Sequence, residues 1–462
     1  AGAEFYRAEK ERGIPVIRQI LSVLVILAAA NPLVLSGMLG ARQAVNFVTL
    51  LAMAAFLLVN IRPIRSCGPT RRLRQLETGS ALLGQFLVSA AASVILQCAL
   101  WMQGTENETF GGKAVLAAAA SILWCVLAEG IVFWNGMIRV YLTSVQLGIK
   151  TRILAALVWW IPGVNIWYLM KIMRLTGREA ELETEKWELD EVRAESEICK
   201  TRYPILLVHG VFFQDFKYLN YWGRIPRELK RNGAQVFYGQ QQSAASVEDS
   251  GRELAARIQQ IMEETGCQQV NIIAHSKGGL DARAAIAHCG MASCVATLTT
   301  INTPHRGCVF AESLLNHLPD RMVRRVADTY NAAARHLGDA EPDFMAAVQD
   351  LTASACESRN RITPDDPGVV YESVMSVCHK ARSGRFPLNM TYRLVNYFDG
   401  PNDGLVAVDS AEWGSRFTLL EPAGRRGISH GDVIDLNREN IPGFDVREFY
   451  VQLAAGLKDR GY

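Results

Sequence analysis

Residues 268–286 read "QQVNIIAHSKGGLDARAAI". A short apolar run, a serine with small residues nearby, and a helix-forming segment follow one another without a loop. A core strand has no need of a serine at its end, and a surface helix has no need of a buried strand before it. A nucleophile held on a sharp strand-to-helix turn uses all three parts. The turn is Ala274-His275-Ser276-Lys277-Gly278, a G-x-S-x-G pattern with alanine in its first position. Small residues two before and two after the serine let the strained turn close without side-chain clash. The helix starting at Lys277 aims its free N–H groups and positive end at the same place.

The neighbouring segments repeat the strand–helix theme. "YPILLVHG" (203–210) is a short apolar run closed by a turn. "YWGRIPRELKRNG" (221–233) predicts a helix with Gly233 at its stop, and "AQVFYGQ" (234–240) a second strand. "SVEDSGRELAARIQQIMEETG" (246–266) has helical spacing, acids near its start and Gly266 at its stop. "VATLTTIN" (295–302) is a further strand. Strands alternating with helices imply a mostly parallel sheet covered on both faces, with its site at the carboxyl ends of the strands. The expected fold of residues 201–462 is an α/β-hydrolase domain.

A serine hydroxyl needs a base, and the base needs an orienting carboxylate. In this fold they follow in the order serine, acid, histidine. Only His430, in the polar loop "GISHGDVID" (427–435), lies beyond residue 380. It is the expected base, against a reading as a solvated surface residue. The acid should follow a strand within "TYRLVNYFDGPNDGLVAV" (391–408). Asp399 and Asp403 both qualify by position, and Asp409 lies further along. The expected oxyanion donors are the N–H groups of Lys277, directly after the nucleophile, and of Val211, after the first core strand. His209 and His305 read as structural.

These residues resemble the bacterial triacylglycerol lipase family typified by Pseudomonas and Burkholderia lipases. The resemblance runs from about Tyr203 to the C-terminus. It is carried by "PILLVHG", "VNIIAHSKGGLDAR", "LTTINTPHRG", "DLTASACESRN" and "GPNDGLVAVDSAEWG". It implies Asp403 rather than Asp399 as the triad acid, His430 as its partner, and a lipid or ester substrate. It also implies a helical lid, for which residues 308–352 have the apolar spacing. The family's usual glycine and glutamine stand here as Ala274 and Lys277. The Lys277 side chain is expected to bring a positive charge near the oxyanion loop. The chemistry requires no cofactor. The resemblance implies a structural calcium with Asp432 in a ligand position, but "CHKARSGRFPLN" (378–389) supplies no second carboxylate.

The first 175 residues differ in kind. Of the 462 residues, 49% are hydrophobic, and the excess is concentrated here. Stretches at about 14–39, 43–61, 80–103 and 114–138 look long enough to span a bilayer, which needs about 20 apolar residues. A fifth, at 152–173, is interrupted by Pro162-Gly163. The first apolar run follows a charged segment and continues into others, unlike a cleaved leader. The expectation is a transmembrane helical bundle of four or five spans (1–175), a charged helical linker (176–200), and the hydrolase domain (201–462). Glu129, the one acid inside a span, is expected to face another helix or mark a helix end. Arg7, Lys10 and Arg12 and the arginine-rich 62–79 connection mark the cytoplasmic side. A full fifth span places the hydrolase domain outside and a re-entrant hairpin keeps it inside. Ten cysteines without C-x-x-C spacing read as free thiols and favour the inside. A net charge of +2 implies no polyanionic partner, so nucleic acid is excluded. Oligomeric state leaves no mark in the sequence.

The leading expectation is thus a multi-pass, membrane-anchored serine hydrolase cleaving lipid esters. The alternatives are an acyltransferase or deacylase acting on a membrane glycolipid or lipoprotein, and a catalytically inert hydrolase domain serving as a binding module.

Overall fold

A computed structural model describes all residues except 1–13, 35–41, 62–67, 107–111, 212–220, 318, 337–341, 387 and 423. The basic N-terminal residues and residues 62–67 of the arginine-rich connection lie outside the described residues. The chain divides into two units, 1–192 and 193–462.

The first unit is helical: α1 (Ile14–Ala30), α2 (Arg42–Ile61), α3 (Arg71–Glu106), α4 (Gly112–Thr143), α5 (Ile149–Leu157) and α6 (Val164–Arg193). Stretches within α3 (Arg71–Ala99) and α4 (Val115–Thr143) are long and apolar enough to cross a membrane. The first two expected spans form shorter apolar helices, Val16–Ala30 and Phe47–Ile61. The expected fifth span is not one helix. α5 ends at Leu157 and α6 begins at Val164, because Pro162 lacks an N–H and Gly163 takes φ +79°. The charged segment expected as a separate linker continues α6 as far as Arg193. α3 and α4 cross closely at Gly79 and Gly136, where a Cβ on either would lie 3.0–3.1 Å from the other's carbonyl oxygen. Glu129 faces α3, accepting hydrogen bonds from Ser89 Oγ (2.8 Å) and Ser93 Oγ (3.2 Å).

The second unit is built on six parallel strands in the order β2-β1-β3-β4-β5-β6. These are β1 (Ile205–Val208), β2 (Val236–Tyr238), β3 (Val270–His275), β4 (Val295–Ile301), β5 (Val370–Ser376) and β6 (Arg416–Leu420). With helices packed over both faces, this is the α/β-hydrolase architecture. β1, β3 and β4 are buried along their whole lengths, so they read as continuous apolar runs rather than alternating ones. Ile205, Leu207 and Ile273 point into one core, and Leu206, Val208 and Ile272 into the other. Helices α7 (Ile225–Arg231), α8 (Val247–Thr265) and α9 (Lys277–His288) follow as the sequence predicts. Ser246 caps α8 by accepting from Asp249 N–H, and Gly266 closes it at φ +69°.

Helices α10 (Val309–His317), α11 (Asp320–His336) and α12 (Phe344–Gln349) occupy the segment expected as a lid. α13 (Ala353–Ile362) leads into β5. The segment expected as a strand before the acid is instead helix α14 (Leu388–Phe398). Leu388, Thr391 and Val395 recur there at spacings of three and four, the helical repeat. The strand pairing that region belongs to β5 and β6, which flank α14 and the short α15 (Val408–Ala411). α16 (Val446–Asp459) closes the chain against the β1 side of the sheet, through Tyr450, Val451 and Ala454.

Candidate active site

β3 delivers Ser276 to the carboxyl edge of the sheet. Its backbone takes φ +57°, ψ −132°, a conformation costly for a residue with a Cβ, of order 1–3 kcal/mol. The surroundings hold it there. Ser276 N–H donates to Ile301 O at 2.9 Å, and its carbonyl accepts from Thr303 Oγ1 at 2.8 Å and Gly279 N–H at 3.1 Å. A Cβ at Gly278 would sit 2.3 Å from His209 O, and one at Gly210 would sit 2.7 Å from Ser276 Cβ. The turn closes only because those two side chains are missing. Ala274 is still within β3, so the first position of the pattern needs no glycine here.

Val211 is buried directly after Gly210, which packs against Ser276. Tyr221 pins this loop. Its hydroxyl accepts from Gly210 N–H at 3.1 Å and lies 2.7 Å from His275 Nδ1. Burial pushes His275 well below the ordinary histidine range, with the nearby His430 adding to the effect. Burial thus keeps His275 neutral.

Lys277 begins α9, so its N–H has no acceptor within the helix. Its side chain does not approach the oxyanion loop as expected. Nζ turns into the α8–α9 interface, 2.7 Å from Asp281 Oδ1 and 2.9 Å from Ser250 Oγ, with both charged side chains almost wholly buried. Burial raises the Asp281 carboxyl to about 6, although the Lys277 ammonium beside it opposes the shift. Removing one partner strands the other. Asp281→Ala should cost about 3–5 kcal/mol, whereas replacing both by apolar residues should cost far less. Chemical denaturation of the two variants checks this.

The acid and base come from two loops after β5. Asp403 is fully buried, and Oδ1 accepts from Leu405 N–H and Val406 N–H at 2.8 Å each. Oδ2 accepts from Asn302 Nδ2 at 2.5 Å and stands 2.6 Å from His430 Nδ1. His430 N–H also donates to Asp403 O at 2.9 Å. The His430 ring packs 4.4 Å from that of His275, the residue before the serine. The structure thus brings Ser276, Asp403, His430, Val211 and Lys277 to one edge of the sheet.

The remaining candidates fall elsewhere. Asp399 accepts from Val309 N–H and Phe310 N–H at 2.9 Å each, capping α10. Asp409 lies in α15. His209 is buried beside the loop, its carbonyl held by Gln241 Nε2. His305 stacks on Trp413 and reaches Thr300 Oγ1 at 2.9 Å. Tyr221 and Asn302 are the site residues that the sequence did not disclose.

Asp432, the position implied for calcium, is held differently. Its oxygens accept from Arg426 Nη2 at 3.0 and 3.2 Å, and Oδ2 also takes Ser429 N–H at 3.0 Å. The same Arg426 nitrogen reaches Glu439 at 2.9 Å. A guanidinium thus sits between the two carboxylates, and no group of three or more metal-ligating side chains occurs among the described residues. These residues do not fit a calcium cage. Arg426→Ala should therefore destabilise the His430 loop, by about 3 kcal/mol. A chelator should leave the thermal midpoint of the unaltered protein where it was, and calorimetry measures both.

Residues 204–341 match the family described as palmitoyl protein thioesterase. A triacylglycerol lipase of Pseudarthrobacter phenanthrenivorans is 33% identical over 179 residues, 36% of this chain. The chain spans about half, 54%, of that relative's length. A triacylglycerol lipase of Vibrio cholerae is 30% identical over 239 residues, 46% of this chain and 75% of the relative. The solved Staphylococcus hyicus lipase is 19% identical with a TM-score of 0.44, covering 56% of this chain and 97% of its own. With three quarters of the Vibrio relative matched at that identity, the chain belongs to the triacylglycerol lipase family.

Proposed function

We propose that the chain is a membrane-anchored serine hydrolase that cleaves carboxylic esters of lipids. The observation that carries this reading is the 2.6 Å pairing of His430 with buried Asp403, beside a serine held in a strained turn. With Nδ1 committed to Asp403, His430 presents Nε2 to the substrate side. Ser276 Oγ attacks the acyl carbonyl and His430 takes its proton. Negative charge gathers on the carbonyl oxygen, against the N–H groups of Val211 and Lys277. Collapse breaks the ester bond, and the leaving alcohol takes the proton from His430. A water then repeats the sequence on the acyl-enzyme, releasing the fatty acid and restoring Ser276.

Anchoring is supported by the outward faces of α3 and α4. Val88, Val94, Ile95, Leu123 and Leu127 are each more than half exposed, a pattern that suits lipid rather than water. The bilayer is the partner this reading requires, and no cofactor enters the chemistry. The test is the hydrolysis of long-chain esters by the purified full chain. Turnover by the unaltered protein and none by His430→Ala supports the reading. Equal turnover by both overturns it.

A second reading is deacylation of a long-chain acyl thioester. It is favoured by the match of residues 204–341 to the palmitoyl protein thioesterase family. The same site handles either substrate, since a thiolate leaves more readily than an alkoxide. The ratio of kcat/KM for matched thioester and oxygen-ester substrates separates the two.

A further inference from the structure

The turn that follows α4 is met by the chain twice. Arg152, in α5, reaches back to Ser144 O at 2.8 Å and Leu147 O at 2.7 Å. Glu179, midway along α6, accepts from Ser144 Oγ at 2.6 Å and Val145 N–H at 3.0 Å. Arg72, at the start of α3, donates to the same carboxylate at 2.6 Å. The segment between Arg152 and Glu179 therefore leaves one end of the α3–α4 pair and returns to it. A segment that had crossed a bilayer would end about 30 Å away.

The excursion is apolar. Residues 153–170 hold no charged side chain, and Lys150, Arg152, Lys171 and Arg174 flank them on both legs. α5 buries none of its residues. Ile153, Leu157, Trp159, Trp160 and Trp167 are each more than half exposed. At about 1.5 Å per residue, the nine residues of α5 rise about 14 Å, half the thickness of a hydrocarbon core. The break between the helices satisfies polar groups internally. Trp160 Nε1 donates to Leu157 O, Asn165 Nδ2 to Trp159 O and Ile161 N–H to Val158 O, each at 3.0 Å. Hydrocarbon demands such pairing, since it offers no partner of its own. On the bundle side, Leu169 and Ile172 of α6 pack in one cluster with Leu83 of α3 and Val140 of α4.

We propose that residues 149–173 are a re-entrant hairpin inserted into one leaflet of the bilayer. Acyl chains of that leaflet cover its tip, and lipid phosphates meet Lys150, Lys171 and Arg174 at its base. The chain thus leaves α6 on the side from which it entered α5. Arg71, Arg72 and Arg74 open α3 on that side, which the excess of positive charge makes cytoplasmic. The hydrolase unit that follows Arg193 is then cytoplasmic too. The inference rests on the proposed bilayer placement and not on the ester chemistry.

Cysteine accessibility tests it. Lys150→Cys and Arg178→Cys mark the bases of the two legs, and Trp160→Cys marks the tip. All three side chains are exposed in the bundle, so the changes leave its packing intact. A membrane-impermeant maleimide is applied to intact cells and to inside-out vesicles, with the unaltered chain as background. Both base thiols should label in the vesicles and lose that labelling in intact cells. The tip thiol should label only after detergent is added. Trp159→Cys repeats the tip measurement if Trp160→Cys fails to insert. Base thiols labelled from opposite faces mean a full span and overturn the proposal. A tip thiol labelled without detergent lies outside the hydrocarbon and overturns it as well. Base thiols that both label in intact cells overturn the cytoplasmic side. Carbonate washing that strips the chain from membranes overturns the hairpin together with the bilayer placement, whereas a failed hairpin in a carbonate-resistant chain leaves that placement standing.

Discussion

Ser276→Ala should lower kcat for ester hydrolysis by about 10⁶-fold, the scale of losing a serine nucleophile that acts as a unit with its base. The turn should survive the change. Its φ of +57° is held by backbone bonds to Ile301, Gly279 and the Thr303 hydroxyl, none of which uses Ser276 Oγ. His430→Ala should lose a similar factor, and the double variant little more, since neither group works without the other. Steady-state kinetics of the three variants measures this. Losses that multiply would mean that the two side chains do not act on one proton.

Asp403→Asn should lower kcat by about 10⁴-fold, because an amide in that place favours the wrong histidine tautomer. The surroundings specify a carboxylate there. Three N–H donors converge on it, from Leu405, Val406 and Asn302, in addition to His430. An amide NH₂ set among them would leave donors facing donors. Asp399→Asn is the natural control, since Asp399 stands four residues away and caps α10 instead. It should change stability by about 1 kcal/mol, the value of a helix cap, and leave kcat nearly unchanged. The reverse pattern would move the acid from Asp403 to Asp399.

The difference between these two aspartates marks how far the sequence is readable. The elbow is local: an apolar strand, a serine and a helix within 19 residues, each dictated by its own spacing. β1, β3, β4 and the helices between them are legible for the same reason. Asp399 and Asp403 differ only in what the chain brings to them from far away. Asn302 reaches Asp403 across 101 positions, and nothing in "TTINTP" signals it. Tyr221 reaches His275 across 54. α14 was hidden because a short apolar run fits strand and helix alike until its length and partners are known. The direction of Lys277 was within reach, since Asp281 stands four residues on and a helix puts those side chains on one face. Arg426 is likewise close in sequence to Asp432, but a loop has no periodicity from which to infer that they meet. In the first unit, apolar content marks the helices plainly. It does not reveal that Pro162-Gly163 separates α5 from α6.

The central claim is that Ser276 is a nucleophile activated by His430. A fluorophosphonate reacts fastest with such an activated serine, so the most direct measurement is peptide mass spectrometry of the detergent-solubilised chain after exposure to the probe. The account predicts one adduct, on Ser276, absent from His430→Ala. An unlabelled Ser276, or labelling that persists without His430, would contradict it.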